Sequence, residues 1–252
     1  MASYGDFAYF YDGLTDNVDY EKRCDYMVGL LAENGISEGI LLDLACGTGT
    51  VSLILSQKGF DVIGVDASED MLSVAQEKKM ETGEDVILLC QRMEELDLFG
   101  TIKAAVSTLD SINHVTDAET VKEIFRRVSL FMEDEGMFIF DVNTPYKHKN
   151  ILGNNTFIYD TDEVYCVWQN STDESMLTEI SLDIFEKDED DEDTYYRYSE
   201  EFSERAYELD DIKKWLEECK FEVTAVYEEM TRNPVGDETQ RAVFVAKKHG
   251  TQ

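Results

Sequence analysis

Short apolar runs alternate with amphipathic segments along the first 145 residues, and this alternation constrains the fold more than any other feature of the chain. Between the runs, apolar side chains recur at helical spacing, as at Val121, Ile124 and Val128. Strands that alternate with helices predict right-handed crossovers and a parallel sheet. The runs with the length of buried strands are 39–44, 61–66, 85–90, 104–109 and 137–141.

The pattern changes after about residue 150, where the helical periodicity stops. Apolar and more polar side chains alternate over residues 176–184, which is typical of a half-buried strand. Aromatic-rich segments at 163–168 and 195–202 are its expected partners. We therefore predict an antiparallel insertion of three or four strands, with its sharpest turn at 186–193, where seven of eight residues are acidic.

The core pattern resumes near the C-terminus, with a predicted helix at 209–219 and strands at 221–227 and 241–246. The predicted fold class is α/β, with a doubly wound, seven-stranded, mostly parallel sheet of Rossmann type and an antiparallel β insertion. The predicted units are an N-terminal helical cap (1–35), a core (36–150 and 206–252) and the β insertion (151–205), which serves as a lid or as a dimer surface.

The net charge of −33 limits the classes of partner. Nucleic acids and anionic membranes are bound by clustered Lys and Arg, and no run of these residues exceeds two here. Solubility accounts for the charge, and attraction of cationic substrates is the alternative. No apolar stretch is long enough for a membrane span, and the five cysteines form no CxxC pair. We expect a cytoplasmic protein, monomeric or homodimeric, without a metal site.

A nucleotide-binding signature lies at 43–49, where a strand ends in an acid, enters a glycine turn and opens a helix. A dinucleotide site requires G-x-G-x-x-G, but Ser52 occupies the third glycine position after Gly47. No lysine follows the turn at the spacing that a P-loop requires, so a P-loop is also disfavoured. Asp43 suits a ligand with a positive group, such as the amino acid end of S-adenosylmethionine.

The ordered set of motifs resembles class I S-adenosylmethionine-dependent methyltransferases over residues 36–145. Leu41–Gly49 resembles the first motif of that family, and Asp66 matches the acid that binds both ribose hydroxyls. Gln91–Met93 and Thr108–Asp110 match segments that meet the adenine and the methionine portion of the cofactor. The resemblance therefore implies S-adenosylmethionine as the cofactor.

The resemblance also implies a set of binding residues, with two departures from the family pattern. Ala45 stands where the family usually has glycine, and Arg92 stands where many relatives have an acid. Arginine cannot accept a hydrogen bond from adenine, so Gln91 or a backbone carbonyl must do so. The implied cofactor-binding residues are Tyr11, Arg23, Asp43, Ala45, Cys46, Gly47, Gly49, Asp66, Ala67, Met71, Gln91, Arg92, Met93 and Leu109.

Some of these residues have plain structural alternatives. Asp43 and Asp66 fit helix-capping acids as well, and Met71 fits ordinary core packing. Tyr11 and Arg23 lie in an N-terminal segment that closes over the cofactor in the family, where a base near position 23 pairs with the cofactor's carboxylate. Surface positions are the alternative for both residues.

The residues that bind the methyl acceptor are harder to recognise in the sequence, because methyl transfer mainly needs proximity and alignment. Acceptor residues are expected at the carboxyl ends of the strands. His114 is the candidate general base, since histidine titrates near neutral pH, and Asn143 is the candidate for orienting a polar acceptor. A helix-capping role for His114 and a turn role for Asn143 are the alternatives.

The sequence thus predicts an S-adenosylmethionine-dependent methyltransferase that acts on N or O of a small molecule, with an amine or other cationic compound as one candidate. Methylation of RNA or protein and a non-catalytic cofactor-binding module are the alternatives. A nicotinamide-dependent oxidoreductase is disfavoured by Ser52.

Overall fold

A seven-stranded sheet forms the centre of the protein, in a computed structural model that describes residues 5–250 except 16, 162, 163, 189, 190, 192 and 193. Its spatial order is β10-β11-β5-β4-β1-β2-β3, in which β1 to β5 run parallel and β11 runs antiparallel to both of its neighbours. The predicted doubly wound, mostly parallel sheet is confirmed. The strands are β1 (Gly39–Leu44), β2 (Phe60–Asp66), β3 (Ile87–Cys90), β4 (Ile102–Ser107), β5 (Met132–Asn143), β10 (Phe221–Glu228) and β11 (Arg241–Lys248).

Helices cover both faces of this sheet. Residues of α5 and α7 are buried on one face, and residues of α2 and α3 are buried on the other. Within the described part of the chain, none of the helices combines the length and apolar character that a membrane crossing needs. The helices are α1 (Gly5–Leu14), α2 (Tyr20–Glu33), α3 (Thr50–Gln57), α4 (Glu69–Thr82), α5 (Ala118–Phe131), α6 (Pro145–Lys147) and α7 (Leu209–Glu218).

The strands are apolar along their whole length because both faces are buried. In β1, Leu42 and Leu44 pack towards α5 and α7, while Leu41 packs towards α2 and α3. All three side chains have no exposed surface. Removing such a side chain from water contributes about 1.5–3 kcal/mol, so the continuous apolar runs predict buried parallel strands correctly.

Two strand boundaries differ from the sequence prediction. β4 ends at Ser107 and not at Leu109, because the chain turns there with positive φ at Leu109 and at Asp110. β5 begins at Met132, five residues before the predicted start, because Met132 already pairs with Ile102 of β4. The acidic residues that follow Met132 are exposed, so this part of the strand has no apolar run from which it could be predicted.

The insertion folds as a second sheet with four antiparallel strands in the order β6-β7-β8-β9, as predicted. Its inner face packs on α1 and α4, and Ile180, Leu182 and Ile184 meet Phe10 and Met71 there. The predicted acidic turn at 186–193 includes the last two residues of β8, and four of its residues lie outside the described part. The strands are β6 (Thr156–Asp160), β7 (Val164–Thr172), β8 (Leu177–Lys187) and β9 (Tyr195–Arg205).

The turn between β1 and α3 depends on left-handed backbone at Ala45, Gly47 and Gly49, whose φ values are 62°, 54° and 76°. A Cβ on Gly49 would lie 2.8 Å from the Cβ of Ala75 in α4. α3 therefore approaches α4 closely only with glycine at this position. The turn brings the N-terminus of α3 to the carboxyl edge of the sheet.

We expect Gly49→Ala to lower the free energy of unfolding by about 2 kcal/mol or more, since it combines left-handed strain with a clash. Gly83 is the matched control, because its φ is 75° but nothing lies within 4 Å of the added Cβ. Gly83→Ala should cost about 1 kcal/mol. Urea denaturation measures both, and equal losses would show that the contact with Ala75 is unimportant.

Candidate active site

An open cleft lies at the carboxyl edge of the sheet, beside the turn that follows β1. Several of the residues implied by the sequence line it together: Tyr11, Asp43, Ala45, Cys46, Gly47 and Leu109. Thr48 and Thr108, which belong to the two matched motifs, complete part of its wall, and Tyr20, which the sequence did not single out for the site, also lines it. The cleft therefore joins residues of α1, β1 and the segment after β4.

Asp43 is almost completely buried at the end of β1. The Ser52 hydroxyl donates to its Oδ2 at 2.5 Å, and among the described residues no cationic side chain pairs with it. Burial, together with the negative charge of Asp66, raises the pKa of Asp43 to about 7. A cationic group bound beside Asp43 would stabilise the ionised form.

Asp66 ends β2 and binds the backbone of the same turn. Its Oδ2 accepts from the Gly47 N–H at 2.9 Å, and its Oδ1 accepts from the Ser68 N–H at 2.8 Å. Burial raises the pKa of this carboxyl despite these bonds. Each carboxylate oxygen can accept a second hydrogen bond, so Asp66 keeps the capacity to bind hydroxyl groups.

The remaining residues of the implied adenine side lie beyond the cleft. The Gln91 N–H donates to the Asp66 carbonyl at 2.9 Å, which places the 91–93 segment beside the end of β2. The Gln91 side chain bonds the backbone of Asp97 at both its oxygen and its nitrogen, and Arg92 pairs with Glu94. The side-chain groups that the sequence offered for adenine recognition are thus engaged within this segment.

Two further residues implied for the adenine side lie next to β2. Ala67 follows the strand directly, and its carbonyl accepts from the Cys90 thiol. Met71 lies in the first turn of α4 and is buried against α1, so it packs in the core.

A hydrogen bond and an ion pair attach α1 to the turn between β1 and α3 and to α4. Asp12 of α1 accepts from the Thr48 hydroxyl at 2.8 Å and pairs with the Lys78 ammonium. Lys78 also donates to Thr50 at 2.8 Å. Sequence reasoning missed Asp12 and Lys78, whose side chains meet only after α1 has docked on α4.

Asp141 organises the end of β5 and has no exposed surface. It accepts from the N–H groups of Leu109 at 3.0 Å and Asp110 at 2.7 Å. Its carboxylate also pairs with Arg23 at 3.2 Å and Arg241 at 2.6 Å. These four bonds hold two consecutive residues in left-handed backbone next to the cleft.

Arg23 was expected to meet the cofactor's carboxylate, and the structure places its guanidinium between two acids. It pairs with Asp141 and, at 2.6 Å, with Glu229. Its Nε is buried without a hydrogen-bond partner in the described part of the chain. Arg241 pairs with Asp110 and Asp141.

A second group of polar side chains lies where β9 passes over the end of β4. The side-chain atoms of Asp110, His114 and Glu204 that can bind a cation lie within 4.8 Å of one another. His114 Nε2 is 3.7 Å from Glu204 Oε1, and its ring stacks on Phe202. We call Asp110, His114 and Glu204 the acceptor cluster.

Burial sets the protonation of the acceptor cluster. It lowers the pKa of His114 and raises the pKa of Glu204 to about 8, where the nearby charge of Asp110 adds to the effect. Burial alone would raise the pKa of Asp110, but Arg241 and Lys147 hold it well below its usual range. At neutral pH the cluster therefore contains an ionised Asp110, a largely protonated Glu204 and an uncharged imidazole.

Asn143 and His148 lie behind the acceptor cluster. The Asn143 backbone exchanges two hydrogen bonds with the Asn113 side chain, and its Oδ1 accepts from Lys147 Nζ at 2.9 Å. His148 is fully buried, with Nδ1 2.8 Å from the Thr178 hydroxyl and Nε2 3.7 Å from Glu204 Oε2. Burial lowers the pKa of His148 to about 4, so it is uncharged.

Comparison with known proteins agrees with this geometry. Residues 41–136 match a family described as a methyltransferase domain. YqeM of Bacillus subtilis, whose name describes it as a candidate methyltransferase, is 30% identical over 98% of this chain and 98% of its own. A crystal structure of an S-adenosylmethionine-dependent methyltransferase from Clostridium acetobutylicum is 34% identical, covers 97% of this chain and 98% of its own, and has a TM-score of 0.89.

The chain belongs to the class I S-adenosylmethionine-dependent methyltransferases. Its fold is also that of CalS10 with bound S-adenosylmethionine, an amino pentose methyltransferase from Micromonospora echinaspora. That structure has a TM-score of 0.75 and 15% identity, and covers 95% of this chain and 96% of its own. At this identity the likeness shows the fold alone.

The cofactor of this methyltransferase is S-adenosylmethionine, and the residues of the cleft fit it. The left-handed turn lets backbone N–H groups approach a ligand closely. The buried Asp43 carboxyl has no cationic partner among the described residues, and the cofactor carries positive charge on its sulfonium and ammonium groups. When bound, the cofactor would supply the electrophile, which is the methyl group on its sulfonium sulfur.

We expect Asp141→Asn to lower the free energy of unfolding by about 3–5 kcal/mol, because it leaves two buried arginines with less compensation. Asp183→Asn is the matched control, since its pair with Arg197 is at the surface and is worth less than about 1 kcal/mol. Urea denaturation compares the two variants. A loss at Asp141 no larger than that at Asp183 would contradict the central role of this carboxylate.

Proposed function

We propose that this methyltransferase transfers the methyl group to the nitrogen of a small-molecule amine. The observation that carries the proposal is the acceptor cluster, in which two carboxyl groups and an imidazole converge within 4.8 Å. A protonated amine carries a positive charge, which the ionised Asp110 attracts. Its N–H groups can donate hydrogen bonds to the carboxyl oxygens and to the imidazole. Leu109, adjacent to Asp110, lines the cofactor cleft, so the cluster adjoins the place from which the methyl group departs.

An amine that arrives protonated must lose a proton before its nitrogen can attack. We assign this step to His114, the general base that the sequence suggested. The N–H bond breaks, its electron pair stays on nitrogen, and the proton passes to the imidazole. The uncharged state of His114 at neutral pH supports this role, and the ionised Asp110 nearby stabilises the imidazolium that forms.

The charges around the cluster favour an amine over a divalent metal ion. Asp110 already pairs with Arg241 at 2.6 Å, and the Lys147 ammonium also acts on it. A divalent metal ion also needs ionised carboxylate ligands, whereas Glu204, with a pKa of about 8, is largely protonated at neutral pH. The enclosed position of Glu204, which is 4% exposed, further favours a small acceptor over RNA or protein.

The second sheet supplies Glu204, and this supports a role for residues 151–205 as a lid over the acceptor. Trp168, Tyr198 and Phe202 are half-buried on its inner face near α1, while Tyr165 and Tyr196 are exposed. We likewise propose that residues 1–35 cap the cofactor, since Tyr11 lines the cleft and Asp12 binds Thr48.

In the cofactor cleft, we propose that Asp66 accepts from the ribose hydroxyls and that Asp43 faces the cationic methionine end. The free capacity of Asp66 beside the turn supports the first assignment. The second assignment is supported by the burial of the Asp43 carboxyl, which has no cationic partner among the described residues.

The affinity for S-adenosylmethionine should rise with pH through about 7, because the cation binds the ionised form of Asp43 and the free enzyme holds this carboxyl partly protonated. Between pH 6 and 7.5 we expect a gain of roughly tenfold. Asp43→Asn should bind weakly and without this pH dependence. Isothermal titration calorimetry provides the measurement, and a wild-type affinity that stays constant over this range would refute the assignment of Asp43.

Methylation of amines is tested with a panel of small amines and their matching alcohols, with mass detection of the methylated products. We expect amines to react and alcohols and bulk RNA not to react. His114→Gln should lower kcat by about 100-fold or more, because it removes the proton acceptor. His249→Gln, near the C-terminus, is the control and should leave kcat unchanged. Reaction of alcohols alone would assign the enzyme to oxygen acceptors.

A further inference from the structure

The positive charge of Lys147 has no ion-pair partner among the described residues, although the side chain is half-buried. It ends the short helix α6 directly after β5, and its Nζ donates to Asn143 Oδ1 at 2.9 Å. Within the described residues, no carboxylate oxygen comes within 4.0 Å of this ammonium. An ammonium group has three donors, so two remain for a ligand.

Other enclosed lysines of the chain have fuller compensation. Lys78 pairs with Asp12 and donates to two threonine hydroxyls. Lys248 donates to both oxygens of Ser129. Lys147 is half-buried, and burial together with the neighbouring Arg241 lowers its pKa. A partly desolvated charge without an ion partner is unfavourable until an anion meets it.

Lys147 borders the acceptor cluster. Asn143, which accepts its hydrogen bond, also acts through its side chain to lower the pKa of Glu204. The charge of Lys147 acts on both Asp110 and Glu204. Two carboxyl groups therefore lie close to one half-buried ammonium group.

We propose that Lys147 binds a carboxylate of the methyl acceptor, so that the acceptor is an amino carboxylate. Its ammonium group meets Asp110 and Glu204, and its carboxylate meets Lys147. A zwitterion can place its ammonium group against the carboxyl groups of the cluster and its carboxylate against the Lys147 ammonium at the same time. A phosphate dianion fits less well, because the carboxylates of Asp110 and Glu229 act on the same region. This inference rests on the proposed amine acceptor.

Binding tests the inference without any need for turnover. The enzyme loaded with S-adenosylhomocysteine is titrated by ligand-observed NMR with glycine, β-alanine and 4-aminobutyrate, and with the corresponding amides. We expect at least one carboxylate to bind about tenfold or more tightly than its amide, because the amide loses a charge-assisted hydrogen bond. Equal binding of every acid and amide, or binding of neither, would overturn the proposal.

Two variants assign the preference to Lys147. Lys147→Gln should abolish the preference for the carboxylate, and Lys147→Arg, which keeps the charge, should retain most of it. Thermal unfolding of both variants checks that they are folded. A carboxylate preference that persists in Lys147→Gln would mean that another cation, such as Arg241, binds the acid and that the inference is wrong.

Turnover separates this inference from the proposed function. Lys147→Gln should raise KM for a reactive amino carboxylate and change kcat little, whereas a fall in kcat at constant KM would mean that Lys147 moves a proton instead. Equal methylation of amines with and without a carboxylate would keep the nitrogen acceptor and refute the carboxylate. Lys147-dependent carboxylate binding without methylation of any amine would refute the nitrogen acceptor and keep the carboxylate site.

Discussion

The buried carboxylate of Asp141 is the constraint on which the site depends. A charge without solvent contact must be neutralised and hydrogen-bonded by the protein itself. The structure meets this requirement with arginines from α2 and β11 and with two backbone N–H groups after β4. The compensation fixes the left-handed turn at Leu109 and Asp110, which connects the cofactor cleft to the acceptor cluster.

This arrangement also distributes charge within a strongly acidic protein. Arg23 and Arg241 are committed to Asp141, Glu229 and Asp110, so neither is left for a ligand without loss of these pairs. Lys147 is different, because it has no carboxylate within ion-pair distance in the described residues. The net charge of −33 describes the surface as a whole and conceals this local group of cations.

Much of the core fold follows from local sequence. Continuous apolar runs such as 39–44 identified the buried strands. The start of β5 was missed because exposed acids follow Met132, and only pairing with Ile102 makes this segment a strand. In the site, Asp43 and Asp66 could be selected from the sequence because each lies at the carboxyl end of an apolar strand.

The sequence by itself determined the parallel sheet, the second antiparallel sheet and the class of cofactor. Each depends on periodicity or on motifs that are contiguous along the chain. Only the tertiary structure brought Glu204 of β9 to His114 and Asp110, and placed Lys147 beside them. These contacts arise when the second sheet docks over the carboxyl edge of the first, and contacts between distant segments leave no periodic signal in the sequence. The chemistry of the acceptor therefore had to be inferred from the folded protein.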